Sequence, residues 1–192
     1  MDPNGGVMTA TKRTAVMMAA AMTAAIAVPI SASAAPETAA STSKARVVLA
    51  HGGLRDLQPA AAGAFDRARA ALLMVQYDGR SLVWLQVNGI DRSMAGRSFG
   101  AHLHVGPCVA GDGAAAGPHY NSDTVAGRVP PRIGPDTEIW LDFTVTRAGT
   151  GFAITKVPFI ALPGNRAIVI HQEPTDPNGV AGLRLACLPV SW

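Results

Sequence analysis

The stretch Gly100-Ala101-His102-Leu103-His104, with Cys108 four residues beyond it, holds the densest chemistry in the 192-residue chain. In an extended strand side chains alternate between faces, so His102 and His104 project to one side, about 7 Å apart. Two imidazoles so placed can converge on one metal ion. Neutral imidazole suits copper or zinc, and a flat array of nitrogens suits Cu(II). Alone, His-x-His is a weak signal that more often marks two solvated histidines on a strand. The chain has only five histidines, however, and the other three narrow the reading. His119 lies in the turn-like Gly117-Pro118-His119-Tyr120-Asn121. His171 ends the apolar run Ala167-Ile168-Val169-Ile170, and Gly182-Leu183-Arg184-Leu185-Ala186-Cys187 follows shortly after. His51, in Ala50-His51-Gly52-Gly53, stands apart and reads as a solvated loop histidine.

The elements that must position these residues read as all-β. Residues 67–77 and 81–87 are apolar runs joined at Asp78-Gly79, a hairpin signal. Residues 138–146 and 151–157 flank a second turn at Ala148-Gly149-Thr150. Residues 46–49, 98–105, 166–172 and 182–189 complete a set of eight short strands punctuated by Gly and Pro. Such a pattern predicts an antiparallel Greek-key β-sandwich or barrel. A helix through the alanines of residues 58–73 is the alternative, opposed by Pro59 and Gly63.

Upstream, Lys12-Arg13 precedes an uncharged, alanine-rich run over 14–30, and Ser31-Ala32-Ser33-Ala34 offers a small-residue cleavage site. Residues 1–34 therefore read as a signal peptide, 35–45 as a flexible leader and 46–192 as one β domain. Translation from Met8 would give a more ordinary signal. The expected location is extracytoplasmic: extracellular, periplasmic or cell-wall, with no membrane attachment after cleavage. Loss of Asp2, Lys12 and Arg13 takes the formal charge from +3 to +2, too weak and dispersed to indicate nucleic acid. Only Met74 and Met94 remain beyond the cut, so methionine-rich copper(I) binding is not indicated. In an exported chain the even pair Cys108 and Cys187 reads first as a disulfide, with two buried thiols as the alternative. The closed loop of about 80 residues would contribute on the order of 4 kcal/mol in the chain-entropy view.

Taken in order, Gly-x-His-x-His, Cys, Gly-Pro-His-Tyr-Asn, an apolar strand ending in His, and Gly-x-Arg-Leu-Ala-Cys resemble the Cu/Zn superoxide dismutase family. The resemblance spans roughly residues 46–190. It implies that His102, His104, His119 and His171 are copper ligands, with His119 at the position that bridges copper to zinc. It also implies that Cys108 pairs with Cys187, and that Arg184 is the active-site arginine that attracts the superoxide anion. His119 would take part in proton supply. The family often forms homodimers, so a second copy joins superoxide among the implied partners.

Two departures stand out. The zinc site of the family takes two further histidines and an aspartate after the bridging histidine, whereas residues 121–140 contain no histidine. Their carboxylates are Asp123, Asp136 and Glu138, with Asp142 just beyond, a poor set for a closed tetrahedral zinc centre. The expectation is copper alone, with zinc absent, and with a carboxylate orienting the outward nitrogen of His119. Glu138 is the first candidate, since it falls near where the family aspartate would align; Asp123 and Asp136 follow. Second, only twelve residues, 172–183, separate His171 from Arg184, and Glu173 and Asp176 are their only charges. That implies a more open site with less long-range steering of an anion. The implied activity is an exported copper superoxide dismutase. A copper-binding or buffering protein on the same fold, with little turnover, is the alternative.

Overall fold

The computed structural model describes residues 44–58 and 63–192. The expected signal peptide, and all of the leader except Lys44 and Ala45, lie outside these residues. Within them the chain is an antiparallel β-sandwich. One sheet is ordered β1 (Arg46–Gly53), β3 (Arg69–Tyr77), β4 (Arg80–Asn88), β8 (Thr150–Val157). The other is ordered β2 (Arg55–Asp56), β10 (Arg184–Ser191), β9 (Asn165–His171), β6 (Ala101–His104). A short ribbon pairs β5 (Ser98–Phe99) with β7 (Phe143–Thr144).

Local chemistry accounts for most boundaries. The β3–β4 hairpin turns at Asp78 (φ 47°) and Gly79 (φ 71°), the two left-handed positions that a tight type I′ turn demands. Alternation then sends Ala70, Leu72 and Met74 of β3 and Val83, Leu85 and Val87 of β4 into the core. They meet Leu103, Ile168, Ile170 and Leu188 from the second sheet. Phe65, Phe99 and Phe143 seal one end with edge-on and tilted ring contacts.

Several expected elements differ. The expected eight strands are ten among the described residues, because Arg55–Asp56 pairs with β10 and the strand expected over 98–105 breaks at Gly100. Gly100 cannot carry a side chain: a Cβ there would lie 2.8 Å from Ala181 and 2.9 Å from the Glu173 carbonyl. Residues 138–146 form a strand only at Phe143–Thr144, since the Asp142 carboxylate accepts from Thr175 and Ala101 and draws the chain off the ladder. β1 runs on through Gly53, so His51 is exposed on a strand rather than in a loop. Residues 64–67 form turns and 69–77 a strand, so no helix runs through the described part of 58–73. Among the described residues no helix is long and apolar enough to cross a membrane.

Cys108 and Cys187 form a disulfide with Cα atoms 5.7 Å apart, tying the segment after β6 to the last strand. It sits in a small apolar cluster with Leu57, Ala116, Ala167 and Val169, and Arg55 Nη1 donates to the Cys108 carbonyl at 2.7 Å. The bridge closes a 79-residue separation. The Cys108→Ser/Cys187→Ser protein should therefore lose about 4 kcal/mol of stability, read as a lower denaturant midpoint with a larger m-value, because the unlinked denatured chain exposes more surface.

Candidate metal centre

The second sheet has two unlike faces. Ala101 and Leu103 of β6 point into the core, so His102 and His104 point outward. In register, His102 lies opposite Val169 and His104 opposite Ala167, which puts His171 on the same outer face. The segment 105–142 covers that face and returns His119, bridged backbone to backbone with His104. Four imidazoles thus meet. His102 and His104 are fully buried, His171 nearly so and His119 half-buried.

One ring nitrogen from each histidine lies within 4.8 Å of the others. The partners of the remaining nitrogens fix which ones these are. His104 Nδ1 lies 2.9 Å from the Gly117 carbonyl and His171 Nδ1 lies 3.3 Å from the Gly182 carbonyl. A carbonyl can only accept, so both Nδ1 atoms carry hydrogen and both Nε2 atoms present lone pairs. These two Nε2 atoms face each other at 3.2 Å. His119 Nδ1 lies 2.8 Å from Glu138 Oε2, again an acceptor, which leaves its Nε2 bare. His102 Nε2 lies 2.6 Å from Thr175 Oγ1, whose single hydrogen is committed to Asp142 Oδ1 at 2.6 Å. His102 therefore donates through Nε2, and its Nδ1 is buried without any partner.

Four lone pairs converging in a buried space, one orphaned and two opposed, repel one another unless a cation sits among them. The residues present fit a metal ion, and an all-imidazole set favours a late first-row cation over calcium or magnesium. Burial, reinforced by the neighbouring imidazoles, keeps His102 strongly depressed and pushes His104 down to about 2. His171 is pushed down to about 4, mainly by burial. These rings stay neutral, and able to ligate, well into acid.

The outer contacts place the remaining candidates. Glu138 accepts from His119, from Trp140 Nε1 at 2.9 Å and from Asn121 Nδ2 at 3.1 Å. Burial works to raise its pKa, but these donors outweigh burial and hold it below the usual carboxylate value. Asp123 is turned away from the histidines and paired with Arg128 and Arg132, and Asp136 is exposed. Arg184 faces His171 across the β9–β10 ladder. It does so because Leu185 forms a bulge: Arg184 pairs with His171 and Ala186 with Ile170, so the alternation slips by one residue. Without that bulge Arg184 would point into the core. Its Nη1 donates to the Gly113 carbonyl at 2.6 Å, and among the described residues no carboxylate pairs with it. An open cleft beside it is lined by Gln58, Gly113, Ala114, Gly182 and Leu183.

Sequence reasoning missed Thr175 and the use of Asp142. The short 172–183 loop, read from its charges as a diminished guiding loop, holds His102 through Thr175. No local pattern marks a threonine for that role, since its partners lie 33 and 73 residues away.

Fold and site together define an antiparallel β-sandwich protein with a buried four-histidine cluster able to take a metal ion. No family model matches the chain, and no curated protein matches it. Among solved structures it is similar to the clock protein EA4, at 17% identity and a TM-score of 0.53, over 78% of this chain and 95% of that one. At that identity the likeness concerns the fold.

Proposed function

We propose that this protein is an extracytoplasmic copper superoxide dismutase. The observation that carries the reading is the convergence of four lone-pair nitrogens from His102, His104, His119 and His171, with the unpaired cation of Arg184 across the ladder from His171. Ordered motif resemblance supports it, as does the disulfide, which suits an oxidising compartment. His102 would bind through Nδ1 and the other three through Nε2. Bound copper would supply the one-electron redox change by which two superoxide ions become oxygen and hydrogen peroxide.

The chain's own part is to place charge and protons. Arg184 offers a fixed guanidinium to an arriving anion through the N–H groups that Gly113 leaves free. With Nδ1–H held on Glu138, His119 Nε2 can carry either the metal or a proton, and it takes up a proton only when it is released as a ligand. The imidazolium so formed would be paired with the Glu138 carboxylate. His119 can thereby hold one of the two protons that the reaction consumes. Glu138, Asn121 and Trp140 occupy the side of His119 on which the resembling family carries zinc, so zinc has no part in this reading.

The test is metal content and superoxide turnover after reconstitution with copper alone, then with copper plus zinc. One copper per chain, no retained zinc and full turnover on copper alone is the expected result. Copper without turnover would leave a buffering protein, and stoichiometric zinc would overturn the copper-only reading. Arg184→Ala should keep copper while turnover falls roughly 10-fold or more, with most of its salt dependence lost, as expected when a guiding cation is removed.

A further inference from the structure

The 172–183 loop is braced across its own width. Gln172 N–H donates to the Leu183 carbonyl at 2.8 Å, Glu173 to Ala181 at 2.9 Å and Asp176 to Val180 at 2.9 Å. The Asp176 carboxylate closes the tip by accepting from Asn178 and Val180, each at 2.8 Å. The two arms are therefore coupled, and a pull on one is felt by the other. Together they reach the supports of three of the four histidines. Thr175 Oγ1 meets His102 Nε2, and the Gly182 carbonyl meets His171 Nδ1. Gly179 lies against Glu138, the partner of His119, so closely that a Cβ there would sit 3.8 Å from Oε2.

Two places tie this loop to β6. At its base Gly100 N–H donates to the Glu173 carbonyl at 2.8 Å, an approach so close that a Cβ on Gly100 would also meet Thr175 Oγ1 at 3.0 Å. Farther along, the Asp142 carboxylate takes both donors of Thr175, the backbone N–H at 2.7 Å on Oδ2 and the hydroxyl at 2.6 Å on Oδ1. Oδ1 also accepts from Ala101 N–H at 3.3 Å, beside His102 on the strand. We infer that Asp142 is a positioning residue for the metal centre, the tether that makes this loop a strap holding His102 and His171 together. The inference rests on reading these histidines as metal ligands. By taking the hydroxyl hydrogen, Asp142 leaves Thr175 Oγ1 only its lone pairs to offer His102. The ring hydrogen must then stay on Nε2, and Nδ1 is bare for the metal. The grip on Thr175 N–H steadies the opposite arm, which carries the Gly182 carbonyl to His171. Without the carboxylate, the hydroxyl can turn its hydrogen onto His102 Nε2. The ring hydrogen then moves to Nδ1, where the lone pairs of the other imidazoles accept it and a metal must displace it.

Nitrogen-15 NMR of the full-length, metal-free protein, labelled in histidine, tests this at neutral pH, because bare and hydrogen-bearing ring nitrogens resonate far apart. The parent is set beside Asp142→Ala, Thr175→Val and Thr175→Ser. Both positions are partly exposed, and His104, held by Gly117 away from the loop, should look the same in all four proteins if each is folded. The expected result is hydrogen on His102 Nε2 in the parent and in Thr175→Ser, and on Nδ1 in the other two. In Asp142→Ala alone, the His171 Nδ1 hydrogen should also exchange faster with water. Copper affinity, read by competition, should fall about 10–100-fold in Thr175→Val, at least as far in Asp142→Ala, and hold at the parent value in Thr175→Ser. An Asp142→Ala protein with both rings as in the parent would overturn the inference. So would a Thr175→Ser protein that behaved like Thr175→Val, since the effect would then belong to packing. These signals do not depend on turnover. A parent that showed them and bound copper without turnover would support the tether while removing the proposed activity.

Discussion

His104→Ala is expected to abolish turnover and to weaken copper binding by more than about 100-fold, beyond the 10–100-fold effect of losing a group that merely supports a ligand. His104 has no exposure and presents Nε2 to the cluster, with Nδ1 held by the Gly117 carbonyl. Alanine removes a ligand that no neighbour can replace. The metal-free protein should respond quite differently. In it the His104 and His171 Nε2 lone pairs oppose each other at 3.2 Å, so deleting one relieves a repulsion while it opens a cavity. Stability without metal should therefore fall less than burial alone would suggest. What disappears is the rise in melting temperature that copper gives the parent, because a ligand stabilises only the state that binds it. Thermal melts with and without copper, beside competition titrations, would show both effects. His51→Ala, a histidine exposed on β1 and away from the cluster, should leave affinity, turnover and the copper-dependent rise in melting temperature at parent values. A His104→Ala protein that retained tight copper and turnover would refute the assigned ligand set.

Much of this centre was legible in the sequence, and the exceptions have physical causes. His102 and His104 could be paired because strand alternation is a strictly local rule, and Asp78-Gly79 marked a hairpin because its backbone demands those residues. The position of Arg184 was suggested by its motif, but the device that aims it was hidden. A bulge at Leu185 inserts one residue into the ladder, and nothing in Gly182-Leu183-Arg184-Leu185-Ala186 distinguishes the inserted one. The Thr175–Asp142 support of His102 is a meeting of distant loops, beyond the reach of any local window. The bare outer face of β1–β3–β4–β8 was concealed for another reason. The run Ala70-Ala71-Leu72-Leu73-Met74-Val75 is apolar on both faces, and such a run reads as a strand covered on both sides. Only the arrangement of elements shows that, among the described residues, one side has nothing over it.

The Glu138→Gln protein should bind copper 10–100-fold more weakly and lose about 1–3 kcal/mol of stability at neutral pH. The size of the effect follows from the donors that converge on this carboxylate. His119 and Trp140 both donate to Oε2, and Asn121 donates to Oε1. A glutamine that keeps its oxygen toward His119 turns its NH2 against the Asn121 NH2, donor against donor. Turned the other way, it presents N–H groups to Trp140 and His119. His119 can then be satisfied only by moving its own hydrogen to Nε2, the nitrogen that must stay bare for the metal. Either orientation leaves a buried polar group unpaired, and the second also closes the metal site. A pH dependence separates this role from simple packing. Glu138 is held below its ordinary pKa of 4.5 in the folded protein, so its contribution is complete above that value. It is lost as the pH falls through the lower folded value, where the native carboxylate finally protonates. The stability gap between parent and Glu138→Gln should thus be full at pH 7 and narrow steadily below about pH 4.5. Denaturant titrations of the metal-free proteins across that range would measure it. A gap that did not change with pH would mean that Glu138 acts through shape alone, and that its charge does not set the His119 tautomer.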